Sequence, residues 1–169
     1  MGSSAVRRLA DWWAVAGGLV LLAIVLVTTA NAGAFALDRL ARLGGGTVAG
    51  LPGSEDFVRL AIGGAAPMFF PYAQACRAHV AVDLFVGWLP GGARLWLGRL
   101  WLLATVAMAL FLGWWMFLGM LRAKADALVT GVLGWADWPF YLPGIASLLL
   151  WAAVAAVQLG EPVDEPGDG

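Results

Sequence analysis

Charge is scarce in this sequence: Asp, Glu, Lys and Arg make up 12% of 169 residues, against 62% hydrophobic residues and a mean hydropathy of +0.83. That balance lies outside the usual range of a water-soluble domain. The formal net charge is −1 and there is no long basic run, so the many phosphate contacts of a nucleic-acid binder cannot be assembled. The single cysteine, Cys76, excludes an internal disulfide. The single histidine, His79, cannot complete a His/Cys zinc cluster or hold a haem between two imidazoles. No metal or cofactor is expected. Walker-type loops, Gly-x-Ser-x-Gly elbows and His-Glu-x-x-His pairs are missing, and nothing points to an enzyme. Period-2 alternation is absent too, which argues against a β-barrel.

What is present is hydrophobic length. Lipid offers no partner to backbone polar groups, so a crossing segment must close its own hydrogen bonds as a helix of roughly 20 apolar residues. Residues 12–37 form an uncharged run of 26, roughly 39 Å at helical rise, which exceeds the hydrocarbon core and requires tilt or protrusion. A second run, 57–76, carries Arg59 near its start and both Pro67 and Pro71; a third covers 100–121 and a fourth 138–160. The reading is an all-α integral membrane protein with four transmembrane helices and a short interfacial helix between the second and third. Residues 1–11 are expected to be a cytoplasmic N-terminus. Residues 12–160 form one transmembrane domain with spans at about 12–37, 54–76, 96–121 and 138–159. The segment 161–169, with Glu161, Asp164, Glu165 and Asp168 and no apolar run, is expected to be a disordered acidic tail. Arg7 and Arg8 followed by an apolar stretch and Ala30-Asn31-Ala32 also fit a cleavable signal peptide. The run continues past that site to Leu37, which favours an uncleaved first span.

Basic residues set orientation. With the N-terminus inside, Arg7, Arg8, Arg77, Arg94 and Arg99 face the cytoplasm, and Arg39, Arg42, Arg122 and Lys124 face out. The counts nearly tie, and the Arg7-Arg8 pair before the first helix decides for both termini cytoplasmic. Trp12, Trp13, Trp88, Trp96, Trp135 and Trp138 lie near expected span ends, where indole rings favour the headgroup layer.

Few residues could carry chemistry. Ser54, Glu55 and Asp56 open the second helix, where a serine can cap an orphan amide and carboxylates suit the positive end of the helix dipole. The same acids could bind a cation or act in acid/base work, although Arg59, four residues after Glu55, is placed for a local ion pair. Pro67 and Pro71 free the carbonyls of Gly63 and Pro67, either to hold an ion or simply to kink a helix whose Gly63, Gly64, Ala65 and Ala66 pack closely. His79 and Asp83 share a helical face opposite Ala81, Leu84, Phe85 and Trp88, a pattern for an interfacial helix; a proton relay is the alternative to a local structural contact. Thr28, Thr29 and Asn31 in the first span are expected to hydrogen-bond between helices.

The segment Leu51-Pro52-Gly53-Ser54-Glu55-Asp56-Phe57-Val58-Arg59-Leu60 is followed by a span and then by Arg77-Ala78-His79-Val80-Ala81-Val82-Asp83-Leu84-Phe85. The fourth span opens with Trp138-Pro139-Phe140-Tyr141-Leu142-Pro143-Gly144. This order of landmarks resembles the small membrane subunit of tripartite ATP-independent periplasmic (TRAP) transporters, the DctQ-type permeases, over roughly residues 12–158. Two departures stand out: Asn31, Ala32, Gly33 and Ala34 occupy a region where the family often has an arginine, and Cys76 stands before Arg77 where it often has a second basic residue. The resemblance implies a multi-pass protein of the bacterial inner membrane that braces a large permease subunit. That subunit moves an organic anion with sodium, after a periplasmic binding protein has delivered it. On this view Ser54, Glu55, Asp56, Arg59, Arg77, His79, Asp83, Trp138 and Pro143 shape the subunit and its contacts. Membrane lipid is the remaining partner. The alternative is a stand-alone four-helix structural or assembly protein, or a homo-oligomeric pore, but a pore calls for a polar stripe that the sequence does not display.

Overall fold

The computed structural model describes residues 2–76 and 91–160. Helix α1 spans Gly2–Leu43, α2 Ser54–Ala65, a 3-10 turn Ala66–Phe69, α3 Phe70–Ala75, α4 Gly91–Ala125, a second 3-10 turn Trp138–Phe140, and α5 Tyr141–Gly160. Among the described residues there is no strand, only an isolated bridge between Val129 and Ala136. The fold is all-helical, as the helix-length apolar runs require.

Among the described residues three helices, not four, are long and apolar enough to cross a membrane: Ser4–Leu43, Leu95–Ala125 and Trp138–Gly160. The expected second span is the exception. Pro67 and Pro71 supply no N–H, so the helical path there divides into pieces of 12, 4 and 6 residues. The backbone nonetheless stays right-handed at the joints, with φ/ψ of −59°/−45° at Ala66 and −60°/−44° at Phe70. The interfacial helix expected after Arg77 lies outside the described residues.

Helix α1 has 42 residues and overruns its apolar stretch at both ends. Ala, Leu and Arg are good helix formers, so nothing in residues 2–11 or 38–43 halts propagation. Glycine does. The Gly46 amide donates to the Ala41 carbonyl at 2.9 Å and the Gly45 amide to Arg42 at 3.3 Å, with Gly45 at φ +80°. This paired pattern is a Schellman stop. The chain then runs back along α1. The Val48 amide donates to Asp38 Oδ1 and the Leu51 amide to Asn31 Oδ1, both at 2.9 Å. Asn31 and Asp38 are two helical turns apart on one face. The expected inter-helix bonds of the first span are therefore not what these residues make: Asn31 anchors the linker, and the Thr28 hydroxyl donates to the Ile24 carbonyl of its own helix.

Helix α5 is the centre of packing. It carries α4 along one flank and α3, α2 and α1 along the other, while α4 rests mainly on α5 and the turn before it. Small residues set the spacing. Thr105, Ala109, Gly113 and Ala123 form the buried seam of α4, and a Cβ on Gly113 would sit 3.7 Å from Leu148 Cβ. On the other flank a Cβ on Gly17 would meet Met68 Cβ at 2.9 Å, and one on Gly64 would meet the Phe140 carbonyl at 3.3 Å. Such close approach is what membrane helices use where the hydrophobic effect gives no drive. The opposite side of α4, with Trp96, Leu100, Trp101, Phe111 and Trp114, is exposed.

Candidate functional site

The acidic opening of α2 meets the connection between α4 and α5. That connection is a compact hairpin: the Thr130 amide donates to the Trp135 carbonyl at 2.9 Å, the Trp135 amide to Thr130 Oγ1 at 3.0 Å, and the Asp137 amide to Leu128 at 3.0 Å. Asp56 holds its tip. Its Oδ2 accepts from the Val132 amide at 2.8 Å and the Leu133 amide at 3.2 Å. Hydrogen bonds to the ionised form lower a carboxyl pKa. Asp56, in the first turn of α2 before the apolar run, accordingly titrates below its ordinary value of 3.8, held there first by the Val132 amide and then by Leu133, with smaller help from Arg59.

A group whose folded pKa is depressed contributes stability above its unfolded pKa, and that contribution is lost as pH falls through the folded value. Asp56→Asn keeps an acceptor oxygen but drops the charge. Wild type is expected to unfold at a higher temperature than D56N at neutral pH, with the gap closing as pH falls below about 3.8. Tryptophan-fluorescence melts across pH measure it.

Arg59 does not pair with Glu55. Its Nη2 lies 3.4 Å from Asp137 Oδ2, across the hairpin, and the guanidinium is 62% exposed. The helical i,i+4 geometry was available, but Asp137 on the neighbouring connection is nearer. An exposed pair of this kind is worth about 0–1 kcal/mol, so it orients the hairpin more than it stabilises it. Glu55 is exposed, and among the described residues no hydrogen bond or ion pair engages it. Ser54 is 9% exposed and is the first residue of the helix, the N-cap position being held by Gly53. Ser54, Glu55 and Asp56 line an open cavity of about 340 Å³ together with Asn31, Phe35 and Leu51.

The remaining candidates separate. Lys124 Nζ sits 5.0 Å from the Trp138 ring centre, a cation–π contact between the end of α4 and the second turn. Pro143 packs 3.5 Å from where a Gly64 Cβ would lie, and its carbonyl accepts from Ser147 Oγ at 2.6 Å. Trp138 and Pro143 thus sit at helix junctions and not in the acidic cavity. Arg77, His79 and Asp83 lie outside the described residues, as does Trp88. Of the expected headgroup anchors, Trp12 and Trp96 are 74% and 79% exposed. Trp13 instead turns inward and donates to Ser147 Oγ at 2.8 Å, and Trp135 stacks on Phe140 with ring centres 6.2 Å apart.

A buried polar cluster lies outside the residues that the sequence pattern singles out. Gln74 Nε2 donates to Gln158 Oε1 at 2.7 Å, Gln158 Nε2 donates to the Gln74 carbonyl at 2.8 Å, and Trp151 Nε1 reaches Gln74 Oε1 at 3.3 Å. Both glutamines are buried. The available signal was one glutamine near the end of each of two apolar runs. No group of three or more His, Cys, Asp or Glu residues able to hold a metal ion occurs among the described residues.

Comparison with curated proteins and with solved structures gives no match. Residues 46–165 match the family model for tripartite ATP-independent periplasmic transporters, DctQ component, a stretch that includes α2 through α5 and the acidic opening of α2. The chain therefore belongs to the DctQ family, the small permease subunits of TRAP transporters.

Proposed function

We propose that this chain is a brace for a large permease subunit in sodium-coupled uptake of an organic anion delivered by a periplasmic binding protein. The observation that carries the reading is the family match over residues 46–165. The packing agrees with it, since α4 uses one flank against α5 and leaves a long apolar side with Trp101, Phe111 and Trp114 for lipid or a neighbouring subunit. We further propose that the broken path from Phe57 through α3 completes a fourth crossing, with residues 54–56 at the aqueous boundary. Nineteen residues, 57–75, extend roughly 28 Å at helical rise, close to the hydrocarbon thickness. In this arrangement both termini face the cytoplasm of a bacterial inner membrane. The acidic opening of α2 with Arg59, the Arg77/His79/Asp83 segment, and Trp138 and Pro143 act in shaping the subunit and its contacts, not in binding substrate.

The test is co-expression of the tagged chain with its large permease partner. Elution as one complex in detergent, and loss of sodium-dependent uptake into liposomes when this chain is omitted, are the expected results. A stable oligomer of this chain alone, with uptake unaffected by its absence, would overturn the reading. A second arm replaces Glu55, Asp56, His79 and Asp83 with alanine: intact assembly with lost sodium-dependent substrate binding would assign them to the substrate site instead.

A further inference from the structure

Helices α1 and α4 end on the same hydrogen-bond pattern with different residues at its critical position. In α1 the left-handed residue of the Schellman stop is Gly45. Helix α4 closes with the equivalent pair of bonds: the Leu128 amide donates to the Ala123 carbonyl at 3.0 Å and the Ala127 amide to the Lys124 carbonyl at 3.3 Å. The left-handed residue is here Ala127, at φ +48°, the one non-glycine residue with positive φ among the described residues. A Cβ in that conformation crowds the following carbonyl, a strain that glycine escapes. Such residues persist only where their surroundings impose the conformation, and they gather at switch regions.

Ala127 is one root of the hairpin between α4 and α5, and Asp137 is the other. Asp137 Oδ1 is buried and, alone among the buried side-chain oxygens and nitrogens of the described residues, has no hydrogen-bond partner. The local sequence explains this. Asp137 stands at the N-cap of the Trp138–Phe140 turn, but Pro139 has no N–H and the Phe140 amide donates to the Asp137 backbone carbonyl at 3.2 Å, so neither amide that an aspartate cap ordinarily engages is left for the side chain. Its other oxygen has Arg59 at 3.4 Å. A buried polar atom without a partner is costly, and exposure to water removes the cost. Strain therefore sits at both roots. Between them the hairpin is bonded to itself, through Thr130 with Trp135 and Leu128 with Asp137, and can move as one body. Asp56 opposes that movement, because one of its oxygens takes both tip amides, and Leu133 is seated closely on Gly53.

We infer that the hairpin of residues 126–137 is a strained latch with Asp56 as its catch: when Asp56 lets go, the hairpin leaves α2 as a unit, Ala127 relaxes and Asp137 becomes hydrated. Opening uncouples α2 from the α4–α5 pair and frees the Asp56 carboxylate. The inference goes beyond the bracing role and does not rest on it, because the test uses the full chain alone. Hydrogen exchange of the Val132 and Leu133 amides, followed by NMR in detergent micelles, reads the opening, and the amide of buried Leu148 in α5 is the reference for global unfolding. In wild type the two tip amides should exchange together and faster than Leu148. Ala127→Gly should slow them about fivefold, because it removes the strain of the closed state. Asp137→Ala, which deletes the unpartnered oxygen along with a long and exposed ion pair, should slow them about threefold. Asp56→Asn weakens the catch and should speed them about tenfold. Ala127→Gly relieves strain and leaves every bond in place, so the test does not hang on a variant that fails to fold. Tip amides that exchange at the Leu148 rate would show that no separate open state exists. Exchange at the wild-type rate or faster in Ala127→Gly or Asp137→Ala would show that the root in question stores no strain. Either result overturns the inference, as does an Asp56→Asn variant whose tip exchanges like wild type.

Discussion

Gly53→Ala is expected to cost about 3 kcal/mol of stability. Two penalties coincide there. Gly53 has φ +76°, a left-handed conformation that costs an L residue about 1–2 kcal/mol. A Cβ built on it would also lie 2.5 Å from Leu133 Cγ, the branch point and not the free end of that side chain. Leu133 is held in place because its amide is bonded to Asp56. The methyl group therefore pushes on the contact that joins α2 to the hairpin. Gly45→Ala separates the terms: its φ is +80° but nothing lies within 4 Å of the new Cβ, so about 1 kcal/mol is expected. Melts of the two variants in one detergent provide the comparison. Equal losses would mean that the hairpin can shift away from α2 without cost.

Gln74→Leu or Gln158→Leu should each destabilise by about 1–3 kcal/mol, since each leaves a buried amide partner unsatisfied. Combined, Q74L/Q158L should recover part of that loss, because both side-chain amides are then gone while the Gln74 backbone carbonyl and the Trp151 indole N–H still lose a partner. Gln74 also accepts from Trp151, so Q74L is expected to be the worse single variant and to shift Trp151 emission. A double-mutant cycle in detergent, read by thermal unfolding, gives the coupling directly. Additive losses would show that the glutamines act independently. Coupling at the low end is the expectation for a chain whose unfolded form remains in lipid, where polar groups find other partners.

Helix content was legible because the apolar runs are long and their period and length leave no alternative to helix. The acidic opening of α2 was legible as a unit from its position between a glycine-rich linker and an apolar run. What it binds was not. Arg59 had two acids within reach, and sequence spacing ranks only the local one; Asp137 lies 78 residues away and reaches it only after the hairpin has formed. The surroundings of Asn31 mark it as a helix–helix residue, whereas its partner is a backbone amide, which no side-chain pattern records. Pro67 and Pro71 announced a disturbance, but a kink and a division into three short pieces have the same sequence signature. The Gln74–Gln158 pairing was hidden because a lone glutamine near a span end reads equally well as a headgroup contact.

The length of α1 reaches beyond the helix itself. If its 26 uncharged residues, roughly 39 Å, stay within about 30 Å of hydrocarbon, the axis leans about 40° and its two ends are displaced sideways by roughly 25 Å. That is more than two helix diameters. The cytoplasmic and periplasmic leaflets then meet this chain at different places in the plane, and a 17.7 kDa protein occupies a footprint far wider than its mass suggests.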